Sequence, residues 1–135
     1  MQALEIPFLR DIVAAAPDGI VVCDPRDGDW AVRYVNPAFE QLTGYTAKEL
    51  LGGNLRMLQG TDREQEALRR LRETLARGEE GRVLLRNYRK NGELFWNEMH
   101  LRPLRDSSGV LQHFVSFHRD VGNLLRGADR SIEGL

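Results

Sequence analysis

The chain has 135 residues, 41% of them hydrophobic, which suits one domain able to bury a core and is too short for two. Its 19 basic and 20 acidic side chains nearly cancel, so no global field draws it to nucleic acid or an anionic membrane, and neither is expected as a partner. A lone cysteine, Cys23, closes no intrachain disulfide, no apolar run approaches the roughly 20 residues of a membrane span, and the start MQALEIPFLRD lacks a signal peptide's pattern, so a reducing cytoplasm is the expected home.

Residues 1–17 are expected to form a flanking helix. Phe8, Leu9, Ile12 and Val13 fall at helical spacing until Pro17, Asp18 and Gly19 break the pattern. The core is expected over 18–121. Residues 20–23 are a short run rich in branched side chains, closed by Asp24 and Pro25, and 32–35 resumes after the turn-rich DPRDGDW, which predicts two paired strands. Asn36 before Pro37 predicts an N-cap with proline at the first helical position, opening a helix that buries Phe39 and Leu42 and stops at Gly44. Thr46 and Glu49, three apart, predict a capping box for another short helix.

The stretch GGNLRMLQG, residues 52–60, interleaves hydrogen-bonding heads (Asn54, Arg56, Gln59) with apolar bodies (Leu55, Met57, Leu58). Two readings stand side by side: the wall of a small-molecule pocket, or a short helical turn capped by Asn54. Thr61 and Glu64 then repeat the capping-box spacing before a helix carrying Leu68, Leu71 and Leu75 on one stripe and ending at Gly78. From Arg82 the period becomes two. Strands are expected at 82–90, 93–103 and 110–120, with turns at Asn91-Gly92 and at Ser107-Ser108-Gly109. In 122–135, Leu124, Leu125, Ala128 and Ile132 predict a second flanking helix. The resulting class is α+β: a five-stranded antiparallel sheet with helices on one face and amphipathic helices at both ends.

Strand phase singles out two amides. Phe95, Met99 and Leu101 share a face with Asn97, and Val83 and Leu85 share one with Asn87. A two-residue loop at Asn91-Gly92 would point these faces to opposite sides of the sheet, so an odd loop, such as three residues with a bulge, is expected, with Asn87 opposite Asn97. Two buried carboxamides need partners, since each unmet polar group costs about 1–3 kcal/mol. Either they satisfy each other, backbone and water, or a polar heterocycle meets both, helped by Asn54 and Gln59. Arg72 borders the stripe of its helix and Arg56 follows Asn54. They are read either as two solvated surface arginines or as a pair converging on a phosphate.

These motifs resemble the LOV (light-oxygen-voltage) group of PAS domains, which bind a flavin and sense blue light. GGNLRMLQG is similar to that family's GRNCRFLQG and NYRKNGELFWN to its NYRKDGxxFWN, with LTGYTAKELLG and YVNPAF preceding them, so the likeness runs from about Gly19 to Asp120. It implies that Asn87 and Asn97 hold the pyrimidine edge of the ring, Asn54 and Gln59 lie along the ribityl chain, and Arg56 and Arg72 clamp a phosphate. It also implies that Leu58, Leu68, Leu71, Leu75, Val21, Met99, Leu101 and Phe114 wall the ring. The arginine pair puts FMN ahead of riboflavin or FAD as the implied cofactor.

Three departures accompany the likeness. Leu55 stands where the family has the cysteine that bonds to the flavin in light, His118 where it has a glutamine, and Ser116 where it has a glycine. Leucine offers neither a nucleophile nor a proton, so the usual adduct is excluded. Cys23 is either an inert buried thiol or a relocated adduct residue. His118 is either a histidine at the sheet edge or a partner of flavin N5 or O4 that titrates near neutrality, with signalling by flavin reduction and Trp96, Tyr88 or Tyr34 as electron donors.

No spacing for a hydrolytic triad, a metal cluster or a phosphate loop is found, so an enzyme is not expected. The expected function is a flavin-binding sensor acting through a homodimer of its flanking helices, with a separate signalling protein as a further partner. The alternative is a light-insensitive PAS dimerisation scaffold.

Overall fold

A computed structural model describes residues 5–125. The chain forms α1 (Ile6–Ala15), β1 (Gly19–Asp24), β2 (Ala31–Val35), α2 (Pro37–Thr43), α3 (Ala47–Leu50), α4 (Glu66–Arg77), β3 (Gly81–Tyr88), β4 (Leu94–Arg105) and β5 (Leu111–Asp120). Two 3₁₀ turns, Arg26–Gly28 and Leu55–Gln59, lie between them. Among the described residues no helix is long and apolar enough to cross a membrane. All strand pairs are antiparallel in one sheet of order β2-β1-β5-β4-β3, so β5 lies at its centre. The α+β architecture expected from the sequence is therefore present.

Local chemistry sets the helix ends. Asn36 Oδ1 accepts from Phe39 N at 3.1 Å, Pro37 follows in the first turn, and Gly44 closes α2 in the left-handed region at φ 79°. Phe39 is buried as expected, while Leu42 is only half-buried. Thr46 and Glu49 form both halves of the capping box on α3. Thr61 and Glu64 do not form theirs. Helix α4 starts later, at Glu66, because the segment before it is held by distant partners: Asp62 binds Arg86 and Tyr88, and the Gln65 amide pairs with the backbone of Arg86. Such long-range bonds outcompete a local cap.

The hairpin joining β3 and β4 has the expected odd loop but not the expected pairing. Beyond Tyr88 and Leu94, Arg89 N donates to Glu93 O at 2.9 Å, which leaves three loop residues, 90–92, with Gly92 in the left-handed region at φ 89° as a glycine bulge requires. Asn87 therefore opposes Phe95, and Leu85 opposes Asn97. The two asparagines are diagonal neighbours on one inward face, close enough to bond at 2.9 Å.

One apolar cluster joins Ala67 and Leu68 of α4 to Val83, Leu85, Met99, Leu101 and Phe114 of the sheet. A second gathers Val21, Val32 and Val35 under Phe39, Leu50 and Leu58. Helix α1 buries no residue, and Phe8 and Ile12 are more than half exposed, so its apolar stripe remains open. A helical turn begins at 122–125. The expected continuation through Ala128 and Ile132 lies outside the described residues.

Candidate functional site

A cavity of about 400 Å³ lies between α4, the 52–60 stretch and the inner face of the sheet, within the size range of small-molecule sites. Every residue that the sequence assigned to flavin binding lines it except Val21. Val21 and Cys23 sit on one strand, but a register shift falls between Val22 and Cys23. Val21 is fully buried in the cluster with Phe39, Leu50 and Leu58, whereas Cys23 reaches the cavity wall.

Leu68, Leu71 and Leu75 form one wall from α4, faced by Leu85, Met99, Leu101 and Phe114 from the sheet. Across this apolar interior runs a polar chain. Asn97 Nδ2 donates to Asn87 Oδ1 at 2.9 Å and to His118 Nδ1 at 3.0 Å, and Asn87 Nδ2 donates to Arg86 O at 2.9 Å. Because an amide NH₂ only donates, Nδ1 of His118 is the acceptor and its proton sits on Nε2. Nε2 lies 2.7 Å from Ser116 Oγ and donates to it. The Ser116 hydroxyl hydrogen is left to donate elsewhere.

Asn97 Oδ1 is buried and has no partner among the described residues. Such an atom destabilises the ligand-free fold by about 1–3 kcal/mol and calls for an N–H donor. A ring presenting an N–H beside a carbonyl would satisfy both this oxygen and a neighbouring donor. The residues thus fit a flat heterocycle with a polar edge.

His118 is not at the sheet edge. It is buried on the central strand, its ring edge-on to Phe39 at 4.8 Å, and burial pushes its pKa down to about 3. It is neutral near pH 7, so the expectation that it titrates near neutrality is corrected. Burial likewise pushes the Cys23 thiol up to about 12, holding it as the protonated thiol.

The 52–60 stretch satisfies both of its readings. Leu55–Gln59 is a 3₁₀ turn capped by Asn54, whose Oδ1 accepts from Arg56 N at 2.8 Å, and the same turn lines the cavity through Leu55, Arg56, Leu58 and Gln59. The Asn54 amide is also bound to Asp29 O at 2.6 Å, so it braces the wall. Arg56 and Arg72, both exposed, line the cavity together with a third arginine, Arg63. Arg56 pairs with Asp29 at 3.3 Å, an exposed and therefore weak bond that an incoming anion can displace.

Sequence reasoning missed Gly28, Trp30, Arg63, Ala76 and Leu85 in the lining. Leu85 was readable, since it shares the inward phase of Val83 and Asn87. Trp30 ends a polar turn with no periodicity to place it. Of the donors expected from the sequence, Trp96, Tyr88 and Tyr34 lie outside the lining. Tyr88 instead donates to Asp62 at 2.8 Å, and Arg86 stacks over Trp96 at 5.8 Å.

The PAS domain profile matches residues 17–123. Blue-light-activated histidine kinase 1 of Erythrobacter litoralis is 42% identical over 106 residues, 78% of this chain and 29% of the kinase. An RNA-binding light-oxygen-voltage receptor superposes with a TM-score of 0.86 at 34% identity, over 96% of this chain and 38% of that one. The LOV domain of an Erythrobacter litoralis blue-light-activated histidine kinase gives 0.74 at 36% identity, over 79% of this chain and 98% of that domain. The chain spans less than a third of the length of the curated relatives it matches.

Proposed function

The chain belongs to the PAS domain family, in its LOV group, and on that premise we propose that it holds FMN in the cavity as a sensory domain lacking the usual photoreactive cysteine. The observation that carries this reading is the partnerless Asn97 Oδ1 among the residues that line the cavity. A bound flavin supplies blue-light absorption and one-electron redox chemistry.

This chain's residues do the rest. Asn87 and Asn97 orient the polar edge of the ring, Ser116 donates to it, and the leucines of α4 with Met99, Leu101 and Phe114 exclude water. Gln59, on the cavity wall, would meet the ribityl chain. Arg56, Arg63 and Arg72 attract a terminal phosphate, which favours FMN over riboflavin, while an open mouth leaves FAD the larger alternative. Leu55 can neither attack nor protonate the ring. Signalling therefore follows a redox change of the flavin felt through Ser116 and His118, or a bond formed by Cys23. A thiol held up to about 12 favours the redox route.

The output surface in this reading is the exposed stripe of α1, through which two copies pair, with a separate signalling protein as further partner. Near-neutral charge favours a protein partner over nucleic acid. One protein of similar structure is an RNA-binding light-oxygen-voltage receptor, and RNA retained by this purified chain would reverse the nucleic-acid part.

The test is the absorption spectrum of the purified chain. A band near about 450 nm supports a flavoprotein. A colourless chain that takes up no flavin, yet dimerises, supports a PAS scaffold instead.

A further inference from the structure

Trp30 is the one tryptophan or tyrosine, among the described residues, that lines the cavity. Its backbone is unusual as well. At φ 52° it is the only described non-glycine residue in the left-handed region, a conformation that disfavours a bulky side chain by about 1–3 kcal/mol. The surrounding structure holds it there. Asn54 Nδ2 grips Asp29 O at 2.6 Å, Arg56 pairs with the Asp29 carboxylate, and Val32 N donates to Gly53 O at 2.8 Å. The turn is thus clamped to the 52–60 stretch on both sides of Trp30. The ring packs half-buried against the apolar cluster, edge-on to Phe114 at 5.3 Å.

The backbone at this position favours glycine or asparagine, yet it carries an indole that lines the ligand cavity. We propose that Trp30 is the electron donor to the photoexcited ligand, a step that rests on the flavin reading. One electron passes from the indole to the excited flavin, which is the oxidant and is reduced by one electron. The indole Nε1 proton leaves to water, which the half-buried ring reaches. In the dark the electron returns to Trp30 and a proton is taken up from water, so the cycle closes without another reactant. Leu55 makes this route available, because no thiol stands there to react first. Cys23 and Met99 also line the cavity, but the thiol is held protonated and a thioether is a poorer one-electron donor than an indole.

The test uses the full chain loaded with FMN, in the wild type and in Trp30→Phe and Trp96→Phe, which separate the two tryptophans of the sequence. Flash excitation without oxygen should bleach the flavin band in the wild type and in Trp96→Phe. In Trp30→Phe, which keeps an aromatic ring in place, the yield should fall about tenfold with FMN still bound. A second readout needs no photochemistry beyond emission. In Trp96→Phe the remaining tryptophan is Trp30, and FMN should quench its fluorescence almost completely. A wild-type yield in FMN-loaded Trp30→Phe, or an unquenched Trp30 beside a visible flavin band, overturns the donor assignment alone. A wild-type chain that takes up no FMN overturns the flavin reading and the donor role with it.

Discussion

Asn97 makes two donations and leaves its oxygen unmet, a state that a ligand N–H would relieve. Asn97→Ala is therefore expected to weaken FMN binding by about 1–3 kcal/mol, read by titration, while changing ligand-free stability less, because the unmet oxygen goes too. That amides at 87 and 97 face inward and meet each other was legible from strand phase. Their third member, His118, was not, because the turn at 107–109 predicts that β5 follows β4 but not the register that brings His118 beside Asn97.

His118 carries a pH prediction of definite sign. Its folded pKa, about 3, lies below the ordinary 6.5, so the unfolded chain binds the extra proton. The stabilising effect is present above pH 6.5 and is lost as pH falls towards 3. Denaturant titrations should show the ligand-free wild type losing up to about 1.4 kcal/mol per pH unit in that window relative to His118→Gln. Parallel curves would contradict a neutral buried imidazole.

At the scale of elements, caps separate what local chemistry decides from what the tertiary fold overrides. Asn36, Thr46 and Gly44 act as their neighbours predict, whereas Thr61 and Glu64 share the same spacing and fail, since Asp62 and Gln65 are committed to β3. Thr46→Ala should cost about 1 kcal/mol in thermal or chemical unfolding and Thr61→Ala close to nothing. Equal losses would restore the second capping box.

Asn36 does more than cap α2. Its Oδ1 also accepts from Ile20 N at 2.7 Å, and its Nδ2 donates to Val13 O and Asp18 O, both at 3.0 Å. One buried amide thus ties the end of α1 to β1 and α2. Asn36→Ala should destabilise the fold by about 2 kcal/mol or more and speed hydrogen exchange in α1 ahead of the sheet. Spacing exposed the cap, but the reach to Val13 needed the folded chain.

For the molecule as a whole, the sheet centre and the cavity share β5: Ser116 and His118 line the cavity while β5 pairs with β1 and β4. A change at Ser116 or His118 therefore bears on strands that position the open stripe of α1. If that stripe is the output, Ile12→Glu should abolish pairing of copies in sedimentation while leaving flavin uptake intact. The order of elements, the sheet and most of the cavity wall were readable because period and capping are local. Arg63 and Trp30 were not, because each enters through a loop clamped by distant bonds.

The central claim is that this cavity holds a flavin by its polar edge and its phosphate. Titration of the ligand-free chain with FMN, followed at about 450 nm, tests it most directly. One equivalent should bind, more tightly than riboflavin. Absence of uptake, or binding that is unchanged in Asn97→Ala, would contradict the account.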